Sequence, residues 1–323
     1  VNLGNHTQTV FACASFLSGT GTNLSVPILT RFWRAYQDGR LSQQEYAEYF
    51  KAVTAFVALR RGATGGTKNI DGDLRLIMQK GDIGHTTFQG LKLNLDGNTA
   101  VPAISDFTNA LRYLLQRRPV NVTDKEDWVG KASTNALYDK STILCKFLLL
   151  AASHTSQSQT RPYPTLRPVT ESIDNKYLTL EVWRASDTET VEHIAPQKGS
   201  GSWSPTIYTE PDLVHTLGNL MLFPKGPNTS LSNGGPDQKW PVYKALAAVD
   251  PNSRAIEIEN AKSKGAEIKP KFEGAIAASN RLPLVASVAE FEGEWTAEVI
   301  KQRSTNIAER AWDTIAPWLG FRI

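Results

Sequence analysis

Cysteine is nearly absent from this chain: Cys13 and Cys145 are the only two in 323 residues, and they lie far apart. That excludes a disulfide framework and points to a reducing, cytoplasmic compartment. With no CxxC pair, neither cysteine marks a structural zinc site. Long apolar runs are missing as well. The longest, Phe147 to Ala152 after Lys146, falls far short of the roughly 20 residues that span a bilayer, so a soluble protein with no membrane partner is expected. No stretch combines a basic head, an apolar core and a small-residue cleavage site, so nothing reads as a secretory signal. Val1 rather than Met opens the chain, as in a piece of a longer protein. Neither sign of charge dominates: 35 Lys and Arg against 32 Asp and Glu leave +3, too little by itself to indicate nucleic acid.

The charge is unevenly spread. Residues 1–70 carry seven Lys or Arg against three acids, and Arg60, Arg61 and Lys68 crowd the end of an expected helix beside a glycine-rich turn. A surface that tracks DNA phosphates is one reading of these three, and a solvated helix face is the plain alternative. The neighbouring Gly62-Ala63-Thr64-Gly65-Gly66-Thr67-Lys68 lacks the GxxxxGK[ST] spacing of a phosphate loop and follows a helix rather than a strand, so it reads as a C-terminal cap. Residues 251–323 hold ten basic and ten acidic side chains, a solvated surface rather than a cationic tail.

Helical periodicity dominates the first half. Tyr46, Tyr49, Phe50, Val53, Phe56 and Val57 recur at three- and four-residue spacing and predict one amphipathic face between Leu41 and Arg61. Ile104–Gln116 and Asn135–Ala152 predict two more helices, and His154 past the second reads as a charge at its C-terminus. Ser153–Pro168 has the composition of an exposed linker. The period then changes: Tyr177–Trp183 alternates as a strand does, Thr190–Ile194 is a short β run before Pro196, and Asn219–Phe223 predicts another. Glu210–Leu217 resembles a helix start, with Thr209 as its cap. Asn228–Lys239 mixes turn residues with a short helix. A final helix, about Glu294 to Ala316, aligns Ile307, Ala308, Ala311, Trp312 and Ile315, and Pro317 ends it.

The chemistry concentrates around Val191-Glu192-His193-Ile194-Ala195-Pro196-Gln197, followed by Leu217-Gly218-Asn219-Leu220 and Asn228. A neutral imidazole takes a proton from water, while a carboxylate and an amide oxygen hold a divalent cation that offsets charge on a phosphate. His193 is the candidate base, Glu192 and Asn228 the candidate ligands, and Asn219 the candidate support of the loop. Neighbouring side chains of an extended strand point to opposite faces, so Glu192 and His193 reach one site only if the chain bends there, and Pro196 makes a bend plausible. His6 and His85 have no partner motif and are assigned no role.

These residues, with His215, Asn233 and Lys239, resemble the C-terminal nuclease domain of GmrSD-type modification-dependent restriction enzymes and of related SspE-type phage-defence proteins. The step from Asn219 to Asn228 also resembles the HNH nuclease domain of CRISPR effectors, where Asp-His stands in place of Glu192-His193. The match is strong over about 175–250 and looser around Trp295 to Trp318, with Ile300 and Arg303. The resemblance implies a His-Me finger (HNH) site with His193 as base, Asn219 supporting, Asn228 and Glu192 holding Mg²⁺ or Mn²⁺, and His215 and Lys239 as supporting or phosphate-contacting groups. It also implies an upstream nucleotide-hydrolysing sensor domain, whose motif this chain lacks. The expected fold is α+β and mostly helical: a helical region at 1–175, a small ββα-metal nuclease unit at 176–250, and a C-terminal helical region at 251–323. The expected function is nicking or double-strand cleavage of DNA in bacterial phage defence. An inactive DNA-binding or scaffold module, an RNA-directed nuclease, and a merely structural His193 among turn residues are the alternatives.

Overall fold

The computed structural model describes residues 5–79, 83, 101–169, 177–199, 201–225, 231 and 233–322. His85 and Asn228, and the side chain of His6, lie outside the described residues. Among the described residues the chain is mostly helical with two small antiparallel ribbons, and it divides into two compact units, 1–131 with 315–323, and 132–314.

Unit 1 contains α1 (Asn5–Gly19), α2 (Ser25–Gln37), α3 (Gln43–Thr64), α4 (Ile70–Gln79), α5 (Ile104–Gln116) and α6 (Lys125–Ala132). Ser42 and Glu45 form a capping box that starts α3, and Gly65 in the left-handed conformation ends it, as the sequence predicts for a helix closed by glycine. The expected single apolar face is too modest a description. Every residue of α3 from Tyr49 to Gly62 except Lys51 is buried, because α1, α2, α5 and the turn Ala316–Leu319 surround it.

That burial overturns the DNA-tracking surface expected of Arg60 and Arg61. Arg60 is 0% exposed; its Nε donates to Asp73 Oδ2 at 2.7 Å and its guanidinium to Lys68 O at 2.8 Å. Arg117 bonds the other oxygen of the same carboxylate at 2.5 Å. Arg61, also buried, donates to Thr20 O. Arg60 is paired with a carboxylate and Arg61 with a backbone carbonyl inside unit 1, and only Lys68 of the three is exposed.

Unit 2 opens with α7 (Leu137–Lys140) and α8 (Thr142–Ser153). The single helix expected over Asn135–Ala152 is broken at Ser141, which is extended and whose hydroxyl accepts from Leu144 N to cap α8. The expected linker is instead a ribbon of β1 (Ser156–Gln159) and β2 (Thr165–Pro168). Asn306 holds it in place, its amide exchanging two hydrogen bonds with the backbone of Leu166. The alternating Tyr177–Trp183 segment forms no strand; Thr179 caps a short helix, α9 (Leu180–Arg184).

β3 (Thr190–His193) and β4 (Leu220–Phe223) then pair antiparallel, with His193 opposite Leu220. The expected helix after Glu210 is replaced by short 3₁₀ turns at Pro205–Thr209, Pro211–His215 and Leu217–Asn219. Five helices follow: α10 (Pro236–Ala247), α11 (Pro251–Ser263), α12 (Pro270–Ala277), α13 (Pro283–Ala289) and α14 (Ala297–Ile315). The apolar α8 packs on both β3 and β4. The described residues 132–169, expected with the first helices, are therefore part of the unit that carries the ribbon. No helix among the described residues is long and apolar enough to cross a membrane.

Removing Asp73 would leave Arg60 buried without its carboxylate. Asp73→Ala is expected to cost about 3–5 kcal/mol of stability, whereas Lys68→Ala should stay within about 0.5 kcal/mol. Urea unfolding followed by tryptophan fluorescence separates the two, and an unchanged Asp73→Ala midpoint would show that the internal ion pair contributes nothing.

Candidate active site

The site is built where β3 ends. His193 is the last residue of the strand and 6% exposed. Its ring meets Tyr138 of α7 edge-on at 4.2 Å between centroids, and its Nε2 lies 3.3 Å from His215 Nδ1. The same Nδ1 stands 3.1 Å from Asp139 Oδ1. An ionised carboxylate only accepts hydrogen bonds, so Asp139 favours the His215 tautomer with its proton on Nδ1. That one N–H serves either Asp139 or His193 Nε2, and directed at Asp139 it leaves the Nε2 lone pair free. Burial, with the electrostatic influence of His215 and Lys239 adding to it, pushes the His193 pKa down to about 3, which keeps the imidazole neutral at physiological pH.

The backbone after His193 is held from two sides. Lys239 of α10 is buried, and its ammonium donates to His193 O at 2.8 Å and Ile194 O at 2.9 Å. Asn219, wholly buried, accepts on Oδ1 from Ala195 N at 2.9 Å and donates through Nδ2 to Ala195 O at 2.8 Å. Its backbone carbonyl takes the Ile194 N–H, and Nδ2 also reaches Val214 O. Tyr208 donates its hydroxyl to Pro196 O. Lys239 is thus a backbone clamp rather than a group free to contact phosphate. Desolvation lowers its pKa to about 8, offset in part by Glu192.

Glu192 faces Met221 across the ribbon and is half-buried. The bend falls at Ile194 and Ala195, after the pair and not within it, so the period of two sets the carboxylate on the other face of the strand from the imidazole. Burial raises the Glu192 pKa, against the lowering influences of Lys239 and a hydrogen bond from Thr190. Among the described residues no three His, Cys, Asp or Glu side chains are arranged to hold a metal ion. Asn233 is exposed on the turn before α10.

The second loop of the site is carried by α14. Arg303, wholly buried, donates to Gly218 O at 2.7 Å and Leu220 O at 2.9 Å, and desolvation lowers its pKa to about 9. Ser304 Oγ accepts from Gly218 N at 2.7 Å. A Cβ on Gly218 would lie 1.9 Å from Ile300 O, so only glycine fits. Trp295 Nε1 donates to Asn219 Oδ1 at 3.2 Å. Apart from the looser likeness around Arg303, sequence reasoning assigned none of these a place in the site, and it missed Tyr138 and Asp139. One signal was available: Arg303 falls in helical register with Ile300 and Ile307, and a cation on an apolar face is a cation that must be paired inside.

The family described as GmrSD restriction endonucleases, C-terminal domain, matches residues 123–310. The chain belongs to this family. The match takes in more than half of the chain and nearly all of unit 2, so the GmrSD C-terminal domain supplies β3, β4, the buried histidine and both clamps, and unit 2 is a nuclease domain of the restriction-endonuclease type. No curated protein matches the chain.

Two outcomes follow from the buried polar groups. Between pH 6.5 and about 3 the unfolded chain binds a proton at His193 that the folded protein refuses, so stability rises with pH in that window and is lost on acidification. In metal-free buffer, His193→Gln should flatten the dependence of the urea midpoint on pH over that range; an identical slope in both proteins would refute the assignment. Asn219→Ala leaves Ala195 N–H and C=O without partners and is expected to cost about 1–3 kcal/mol for each, read as a lowered melting temperature without metal.

Proposed function

We propose that unit 2 is a metal-dependent DNA endonuclease of a bacterial restriction system that acts against phage, with a ββα-metal (HNH) site formed by β3, β4 and α10. The observation that carries this reading is His193: a buried imidazole at a strand end, its carbonyl and the next two residues immobilised, its Nε2 beside the His215–Asp139 pair. A base must be fixed before the water arrives, and Lys239 and Asn219 hold the backbone that carries the imidazole.

His193 takes the proton of the attacking water on Nε2. Asp139 draws the His215 Nδ1–H to itself, which leaves the His193 Nε2 lone pair free for the water. Tyr138 closes the other side of the ring. Glu192, half-buried on the strand face opposite His193 and within the influence of Lys239, and Asn228 are the two ligands proposed from sequence for a hard cation that retains most of its waters. When bound, Mg²⁺ or Mn²⁺ would offset charge on the scissile phosphate. The substrate is DNA, approached through Lys68 or other exposed cations and not through Arg60 or Arg61.

Supercoiled plasmid incubated with the protein and Mg²⁺ or Mn²⁺ should be nicked, and EDTA should stop it. His193→Ala should lower the rate by about 10²–10⁴ with circular dichroism unchanged. Asp139→Asn should lower kcat about 10–100-fold with KM near wild type, and its acidic pH–rate limb should shift. Equal nicking by His193→Ala would overturn the assignment of the base. DNA binding without cleavage by wild type would leave an inactive DNA-binding module.

A further inference from the structure

Unit 2 carries a large concavity that the His193 chemistry does not use. It is a groove of about 1280 Å³ between the loop at Gly201–Pro205, α10, α11 and the segment Ala289–Trp295. Its volume exceeds the roughly 300–1,000 Å³ of a small-molecule pocket. Six carboxylates line it, from Asp237, Asp250, Glu257, Glu290, Glu292 and Glu294, against the single ammonium of Lys244, in a chain whose overall charge is +3.

Trp203, Trp240, Trp295 and Phe291 form an aromatic wall, packed ring against ring from Trp203 through Trp240 to Trp295. The two most exposed large hydrophobic side chains among the described residues, Val249 at 76% and Ile256 at 68%, both stand on this groove. An acidic rim repels the phosphates of DNA, so the substrate of the proposed nuclease is the wrong occupant. A field of this sign over aromatic faces selects cations, and aromatic rings also take the aliphatic stems of lysine and arginine. Exposed apolar side chains beside such a field fit a polypeptide.

We propose that this groove docks a basic, amphipathic segment of a partner polypeptide, with Lys or Arg side chains against the carboxylates and the half-buried Trp240 and apolar side chains on Val249 and Ile256. The floor is shared with the site: Trp295 bonds Asn219, and Trp203 lies 5.8 Å from the Lys239 ammonium. The occupant therefore sits one side chain away from both residues that hold the loop after His193.

Fluorescence anisotropy of a short fluorescein-labelled lysine–leucine peptide with the full chain tests this without reference to nuclease activity. Saturable binding is expected, weakened more than tenfold in Glu290→Lys/Glu294→Lys and in Ile256→Ser. Glu259→Lys/Glu298→Lys, the same charge change at exposed sites outside the groove, should stay within twofold. Equal weakening by both double variants would reduce the effect to net charge and overturn the site. Full displacement by spermine would replace the polypeptide by a small polycation, and displacement by duplex DNA would reject the acidic-groove assignment. A dimer of the free protein in sedimentation, lost in Glu290→Lys/Glu294→Lys, would show that a second copy occupies the groove instead of a partner.

Discussion

The three residues His193 to Ala195 leave their strand with four backbone polar groups that only side chains serve, and Lys239 and Asn219 satisfy all four, while the Asn219 carbonyl takes the Ile194 N–H. An unsatisfied buried peptide group costs about 1–3 kcal/mol, so a loop with this path exists only where such partners are supplied. Asn219 is suited to it because one amide both accepts and donates, matching an N–H and a C=O of the same residue. Lys239 is suited because an ammonium donates in several directions at once. Everything else in the site depends on this closure, since it sets where the imidazole stands.

Those partners are themselves anchored from far along the chain. Asn219 is held by Trp295, Gly218 by Ser304 and Arg303, and Lys239 lies over Trp203. Burying two cations, Lys239 and Arg303, without a hydrogen-bonded carboxylate among the contacts described is costly, and both are lowered in pKa for that reason. Their hydrogen bonds run to carbonyl oxygens instead, whose dipoles stabilise the charge in part. A fold that accepts this cost gains two loops with a single arrangement, which is the condition for a preorganised base.

Charge in this protein has different uses in its different parts. In unit 1, Arg60, Arg61 and Arg117 face inward or pair with Asp73, so a cluster that resembles a phosphate-binding strip is part of the core. In unit 2, carboxylates gather at a groove with tryptophan walls, and at the His193 site the net effect of neighbours is positive. A sum of +3 over the whole chain conceals all three.

The sequence by itself determined the elements whose cause is local. Glycine after an apolar run ends α3, the apolar spacing of Ile104–Gln116 is a helix over the same residues, and the β runs before Pro196 and after Asn219 became β3 and β4. It also singled out Glu192, His193, His215, Asn219 and Lys239, and the fold brings His193, His215, Asn219 and Lys239 around one loop; Asn228 lies outside the described residues. Burial and partners were decided only by tertiary structure. Whether Arg60 faces water or Asp73, whether Tyr177–Trp183 finds a strand to pair with, and whether Ser141 breaks a helix to bring Tyr138 and Asp139 to His193 all turn on groups distant in sequence. Spacing along a chain reports period and local caps; it carries no measure of which hydrogen-bond donor meets which acceptor once water has been excluded.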